Sequence, residues 1–235
     1  MGTLKSSDVV VKLKFRLNKG DTNYYENLTP THIEEVCNKG ILDWNRTQLH
    51  GGNQYREGKE NTIFRIDDLQ FLINPRILSF TNNKEYTETV KLPKDYFQYS
   101  TVRLLVEKDG CSKNIDIDLV ENGNVFKLIN DWSNQASFDF EQCKITITEN
   151  KIQIFHGNDF EVKEVKLYYY RLPAKIKVIG SYNANSSNIN AVDSVWEFKD
   201  DVCEVIIDYI ASILSADIES LNQKQITEQR AKEAN

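Results

Sequence analysis

Asp200-Asp-Val-Cys-Glu-Val-Ile-Ile-Asp-Tyr-Ile-Ala-Ser-Ile-Leu-Ser-Ala-Asp-Ile218 sits inside a C-terminal run, residues 195–221, that organises the reading of the whole chain. Its polar residues Glu204, Asp208, Ser212, Ser215 and Glu219 recur every three or four positions, so on a helix they form one thin stripe. Apart from Asp217, everything else in 202–218 is apolar or aromatic. A helix that covers one side of a small domain keeps a much wider polar face. This helix needs cover on two sides, and a partner subunit is one way to supply it. Val202, Ile206, Ile207, Ile210, Ile213 and Leu214 are therefore candidate oligomer-interface residues.

A second helix is written near the N-terminus. Thr29-Pro30 offers a cap followed by proline at the first helical position, and Thr31 to Glu34 has capping-box spacing. Ile33, Val36, Cys37, Ile41 and Trp44 then share one face, which predicts a helix over 31–49 with Gly40 as a weak point. Ile33, Val36 and Trp44 join the candidate interface. Before it, Val9, Val11, Leu13, Phe15 and Leu17 alternate with Val10, Lys12, Lys14 and Arg16, which predicts a half-buried strand with a basic outer face. That face is either a solvated edge or a surface for an acidic partner. Residues 18–28 form a polar connection, and 53–61 a polar excursion of the kind that orders against a neighbour in an assembly. Asp67-Asp68 opens a short helix ending before Pro75, with a strand at 63–66 as the alternative.

From Arg76 onward the pattern changes to strands. Residues 77–81 and 86–92 flank a turn at Asn82-Asn83, and Asp109-Gly110 joins 101–107 to 111–120 in a hairpin. Asp116 and Asp118 alternate with apolar residues on what reads as one strand face, a solvent face more simply than a cation site. A short helix over 122–132 and a loop carrying Phe138 and Phe140 precede strands at 144–148, 151–155 and 162–171. The run Tyr168-Tyr169-Tyr170 puts rings on both faces of the last strand, either packed in a sheet or exposed as a stacking platform. Residues 174–179 read as one more strand, and 180–194 as a linker. The fold expected is α+β, an antiparallel β-rich, sandwich-like centre flanked by N- and C-terminal helices that pack together. Its parts are 1–75 (strand, helix, loop), 76–180 (β-rich) and 181–235 (linker, helix, polar tail), with the helical parts forming one unit.

A chain of 235 residues can bury one sizeable core, and eleven Phe, eleven Tyr and three Trp rule out wholesale disorder. The net charge of −6 argues against a general nucleic-acid binder. Residues 1–7 are polar without a signal-peptide core, and no stretch approaches the roughly 20 apolar residues of a membrane span. Synthesis in a cytosol-like compartment is expected. Cys37, Cys111, Cys143 and Cys203 are scattered, with no CxxC pair, and read as reduced thiols. The sequons at Asn27, Asn45 and Asn185 then have no glycosylation context.

No catalytic, metal or cofactor residues are predicted. His32, His50 and His156 lack ligand spacing with any other His or Cys, and no phosphate-loop, dinucleotide, nucleophile-elbow or zinc-protease motif occurs. The expectation is that the chain is not an enzyme; the weaker alternative is a dispersed site of His156, Asp116 and Asp118.

Three segments together resemble a known family: residues 15–49, Asp159-Phe-Glu-Val-Lys-Glu-Val-Lys-Leu-Tyr-Tyr-Tyr-Arg-Leu-Pro173, and Trp196-Glu-Phe-Lys-Asp-Asp201 leading into the final helix. Helix, β-rich insert closing on a V-K-L-x-Y-Y-R-x-P strand, then an acidic start to a long helix is similar to the head–tail connector proteins of short-tailed bacteriophages, the crAss-like phages in particular. The resemblance implies a structural virion protein, a portal-proximal adaptor that forms a homo-oligomeric ring, commonly of twelve copies, in the neck. Its implied partners are the portal and other neck or tail proteins, with DNA passing through the channel without specific binding. It implies no catalytic residues. The alternative is a monomeric β-sandwich binding module for protein or carbohydrate, working through Tyr168 to Tyr170.

Overall fold

In the computed structural model the described residues are 2–17, 28–50, 68–83, 86–182, 189–217 and 229. Most of the polar segment at 18–28, the excursion at 53–61, the candidate strand at 63–66 and most of the tail lie outside them. The chain divides into two units: a helical one, Met1–Gln70 with Pro173–Asn235, and a sheet one, Phe71–Leu172. The class is α+β, with a β-rich centre and helices toward both ends of the chain.

The helical unit holds α1 (Ser6–Arg16), α2 (Pro30–His50) and α4 (Asp200–Asp217). The segment expected as a strand is therefore α1. The alternation Val9, Val11, Leu13, Phe15, Leu17 contains a spacing of four, and the helix uses that spacing: Val9, Leu13 and Leu17 are buried, while Val11 and Phe15 point outward. Asp8 in its first turn and Lys14 and Arg16 in its last suit the helix dipole. Both α1 and α2 pack on α4. The final helix starts at Asp200 rather than 195; residues just before it pair with the segment that leads into α1, with a bridge between Lys5 and Val195 and Trp196 N–H donating to the Leu4 carbonyl.

Residues 174–179 do not form a strand. They lie extended against α2, whose side chains meet their backbone: Ile176 N–H donates to Asn38 Oδ1 (2.9 Å), Asn38 Nδ2 donates to the Ile176 carbonyl (3.2 Å), and Val178 N–H donates to Glu34 Oε2 (2.8 Å). Backbone groups that a sheet ladder would have satisfied are satisfied by helix side chains. This segment accordingly belongs to the helical unit and not to the β-rich centre.

The sheet unit is a sandwich. One sheet has the order β1-β9-β4-β5, from β1 (Ile73–Leu78), β9 (Glu161–Arg171), β4 (Tyr96–Lys108) and β5 (Cys111–Asp116). The other has the order β2-β3-β8-β7-β6, from β2 (Phe80–Asn82), β3 (Tyr86–Thr89), β8 (Lys151–Phe155), β7 (Lys144–Thr148) and β6 (Asp118–Leu119). Helix α3 (Asn122–Ile129) follows β6. Val102, Leu104, Val106, Val165 and Leu167 of the first sheet share one buried core with Ile145, Ile152 and Ile154 of the second.

Residues 68–70 are helical, but Ile73 and Pro75 belong to β1. That strand is an edge, the place in a sheet that tolerates a missing N–H. The expected strand 77–81 is divided, its first part ending β1 at Leu78 and the rest falling in β2 of the other sheet, where Asn82 pairs with Thr87 of β3 and is not in the turn. The second hairpin falls where expected: Asp109-Gly110 turns β4 into β5 with φ of 50° and 81°, the left-handed pair of a tight hairpin turn. The stretch 111–120 is not one strand. It ends at Asp116 and resumes at Asp118 in the other sheet, where β6 runs parallel to β7. Asp116 and Asp118 consequently share no strand face. Among the described residues no helix is long and apolar enough to cross a membrane.

Candidate functional site

The residues proposed from sequence as an oligomer interface are the interior of the helical unit. Ile33, Val36, Trp44, Val202, Ile206, Ile207, Ile210 and Leu214 are all buried within the single chain, and only Ile213 is part-exposed. The two-sided cover that α4 needs comes from α1 and α2, so all of these side chains but Ile213 present no free face to a neighbour. The crossing with α2 is close: a Cβ on Gly40 would lie 2.5 Å from Ile210 Cγ1. Gly40 is thus a contact point, not merely a weak one. One turn further, Trp44 meets Phe198 edge-on at 5.9 Å.

The polar stripe of α4 is partnered within the chain as well. Lys12 donates to Glu204, and Arg16 donates to both Glu204 and Asp208. Lys12 and Arg16 of α1 therefore meet acidic side chains of the same chain, not the solvent or the acidic partner that were expected. Burial alone would raise the Glu204 carboxyl; the hydrogen bonds from Lys12 and Arg16 outweigh it and hold the group below its ordinary value. Ser212 and Ser215 are buried, their hydroxyls donating back to the carbonyls of Tyr209 (2.7 Å) and Ser212 (2.8 Å).

What the helical unit does expose is apolar in another place. Val11 and Phe15, on the outer face of α1, are 51% and 67% exposed. Ile179, Tyr182, Ile189, Val192 and Val195 are exposed along 179–195. Asp193 and Ser194 are tied to the start of α1: Ser6 N–H donates to the Ser194 carbonyl (2.9 Å), and Ser7 Oγ to Asp193 Oδ2 (2.7 Å).

Of the residues considered for catalysis, Asp118 and His156 each have another partner. Asp118 pairs with Lys144 at 2.6 Å. His156 is buried beside Phe160, its Nδ1 accepting from Asn158 N–H at 3.3 Å, and burial lowers its pKa. Among the described residues no group of three or more His, Cys, Asp or Glu is placed to hold a metal. All four cysteines are free thiols. Burial pushes Cys37, Cys143 and Cys203 up to about 12, which removes them as nucleophiles at neutral pH. Asp68 meets Lys199 at 3.5 Å.

The middle residue of the tyrosine run is core. Tyr169 is fully buried, its hydroxyl donating to Asp95 Oδ1 (2.9 Å) and accepting from Asn74 Nδ2 (3.3 Å), while Tyr168 and Tyr170 are part-exposed on the opposite face. A platform built on Tyr169 is excluded.

The sheet unit instead carries a cleft that the sequence did not announce. It is half open to solvent, with a volume of about 1310 Å³ between α3, the loop after it and the β8–β9 turn. Tyr86, Phe155 and Phe126 line it in contact, with ring centroids 6.2 Å apart at each step. Trp132 and Phe140 line it as well and are 86% and 80% exposed. The loop is braced from within. Asp131 accepts from Asn134 Nδ2 (2.8 Å), Ser137 and Gln142 exchange backbone bonds (2.9 and 3.0 Å), and Asp159 binds both Lys108 Nζ (2.6 Å) and Phe138 N–H (2.7 Å). Burial alone would raise the Asp159 carboxyl; Lys108 and the Phe138 amide hold it low. The lone signal in the sequence was Phe138 and Phe140 in a loop, and only Phe138 proves buried.

Comparison of the chain with protein-family models gives no match, and comparison with curated proteins gives none.

Proposed function

We propose that the chain is a structural virion subunit, one copy in an oligomeric ring of the head–tail connector, which extends the portal channel for DNA packaging and ejection. The observation that carries the assembly part of this reading is the apolar surface of the helical unit. Val11 and Phe15 are large apolar side chains on a helix whose other face is already packed, and 179–195 adds Ile179, Ile189, Val192 and Val195. Exposed apolar groups gathered on one element mark interaction surfaces in soluble proteins. A ring also needs two different complementary surfaces per subunit. The choice of a virion neck comes from the family resemblance in 15–49, 159–173 and 196–201. The net charge of −6 agrees with a conduit that does not hold phosphates. On this reading the chain is not an enzyme, and its partners are copies of itself, the portal and neighbouring neck proteins.

Light scattering coupled to size exclusion, followed by electron microscopy of the eluted particles, tests it. The expected result is a closed ring, formed by the chain alone or on addition of the portal. Phe15→Asp should leave a folded monomer that no longer assembles. A chain that stays monomeric with its portal present refutes the proposal.

A further inference from the structure

We propose that the cleft of the sheet unit binds a neutral oligosaccharide, a site that holds whether or not the chain assembles into a ring. Three properties of the cleft select this class. First, it presents flat apolar rings to the outside. Trp132 at 86% exposure and Phe140 at 80% cost free energy in water unless a ligand covers them, and rings of this kind cover the apolar faces of sugars. Second, most of the polar groups lining it with the rings are planar amides and carboxylates, among them Gln135, Gln142, Asn158 and Asp139, beside the hydroxyls of Ser133 and Ser137. Such groups accept and donate in fixed directions, which suits a ligand whose functional groups are hydroxyls. Third, among the described residues no Lys, Arg or His side chain lines the cleft. That composition disfavours phosphates, nucleic acid and acidic glycans, all of which are recognised through cations.

Size and shape separate a sugar chain from the other neutral candidates. Ligand pockets for compact small molecules span roughly 300–1,000 Å³, and this cleft, at about 1310 Å³, has room for an extended chain of units. A protein partner would be met by a flatter surface, whereas these rings line a concave cleft. The loop bonds of Asp131, Asp159 and the Ser137–Gln142 pair hold the rim in place before any ligand arrives, which lowers the ordering cost of binding.

The test uses the full chain with three named probes, maltohexaose, cellohexaose and N-acetylchitohexaose, titrated by calorimetry and by tryptophan emission. Trp132 is the only exposed tryptophan, Trp44 and Trp196 being buried, so its emission reports the rim. At least one probe should bind saturably and shift that emission. Trp132→Ala and Phe140→Ala should each weaken binding by roughly tenfold or more, equivalent to about 1.4 kcal/mol, with unchanged circular dichroism because both side chains project into solvent. Trp132→Phe should restore part of the affinity. The proposal is overturned if none of the three probes binds at millimolar concentration, or if binding survives Trp132→Ala. It is equally overturned if a hyaluronan hexasaccharide binds more tightly than every neutral probe, or if Trp132→Ala acts by changing the mass of the assembly.

Discussion

Replacing Gly40 by alanine should destabilise the protein, although the same change in an ordinary helix interior stabilises it. Alanine is favoured over glycine in a helix by about 1 kcal/mol. Here the new methyl would stand 2.5 Å from Ile210 Cγ1, nearer than carbon atoms approach, and Ile210 is fully buried. Forcing an extra methylene into a packed interior costs about 1–3 kcal/mol, so the net change is a loss of about 1 kcal/mol. Because the sum is small, the sharper quantity is the coupling. Ile210→Ala alone should cost about 2–5 kcal/mol through the cavity it leaves. In Gly40→Ala/Ile210→Ala the new methyl occupies part of that cavity, so the double variant should be more stable than the two single changes add up to, by at least about 1 kcal/mol. Urea titration followed by the emission of buried Trp44 and Trp196, both in the helical unit, measures the midpoint and slope for each variant. A stabilised Gly40→Ala, or changes that add to within about 0.5 kcal/mol, would refute the close crossing of α2 and α4.

Further expectations follow from the ion pairs, the tyrosine core and the thiols. Glu204 is held below its ordinary carboxyl value, so its contribution is fully present above about pH 4.5 and is lost as pH falls through the lower folded-state value. Glu204→Gln should therefore lower the melting temperature at pH 7 by a degree or few, since part-exposed pairs are worth only about 1 kcal/mol or less, and should flatten the acid side of the stability profile. Tyr169→Phe removes the hydroxyl that donates to Asp95 at 2.9 Å and should cost about 1.5–3 kcal/mol for a hydrogen bond to a charged group. If Tyr169→Phe is neutral in a denaturant titration, that bond does not hold the β9–β4 corner. In the native protein a thiol reagent should modify Cys111 alone, with Cys37, Cys143 and Cys203 reacting only on unfolding; mass spectrometry of the labelled peptides decides.

Sequence periodicity located most of this fold and misjudged it at a few identifiable places. The strands β7 and β8 and the hairpin at Asp109-Gly110 were legible because alternation and turn chemistry agree there. Residues 9–17 were misread because apolar side chains at every second position satisfy a strand and a helix equally, and the partners that decide, Glu204 and Asp208, lie nearly two hundred residues away. The strand at 174–179 failed for a related reason: its edge is paired by Asn38 and Glu34, side chains on a helix, which no local pattern encodes. The cleft was illegible because its parts come from β3, α3, the following loop and the turn after β8, and single exposed aromatics carry no periodic signal.

The thin polar stripe on the last helix was sound evidence for two covering surfaces and no evidence about which molecule provides them. Apolar periodicity reports that a face is buried; it cannot distinguish burial by a neighbouring helix of the same chain from burial by another copy. With α1 and α2 both packed on α4, acidic substitutions at Ile206 and at Ile207, each fully buried, should both unfold the helical unit through an unpaired buried charge. Neither can report on assembly. The residues that can are those the fold leaves apolar and uncovered, Val11 and Phe15 on α1 and the exposed positions of 179–195. Substitutions there change no core contact, so a loss of association would be read without a loss of folding. The hypothesis of a ring thereby moves from the inside of the helical unit to its surface, where it can fail independently of the fold.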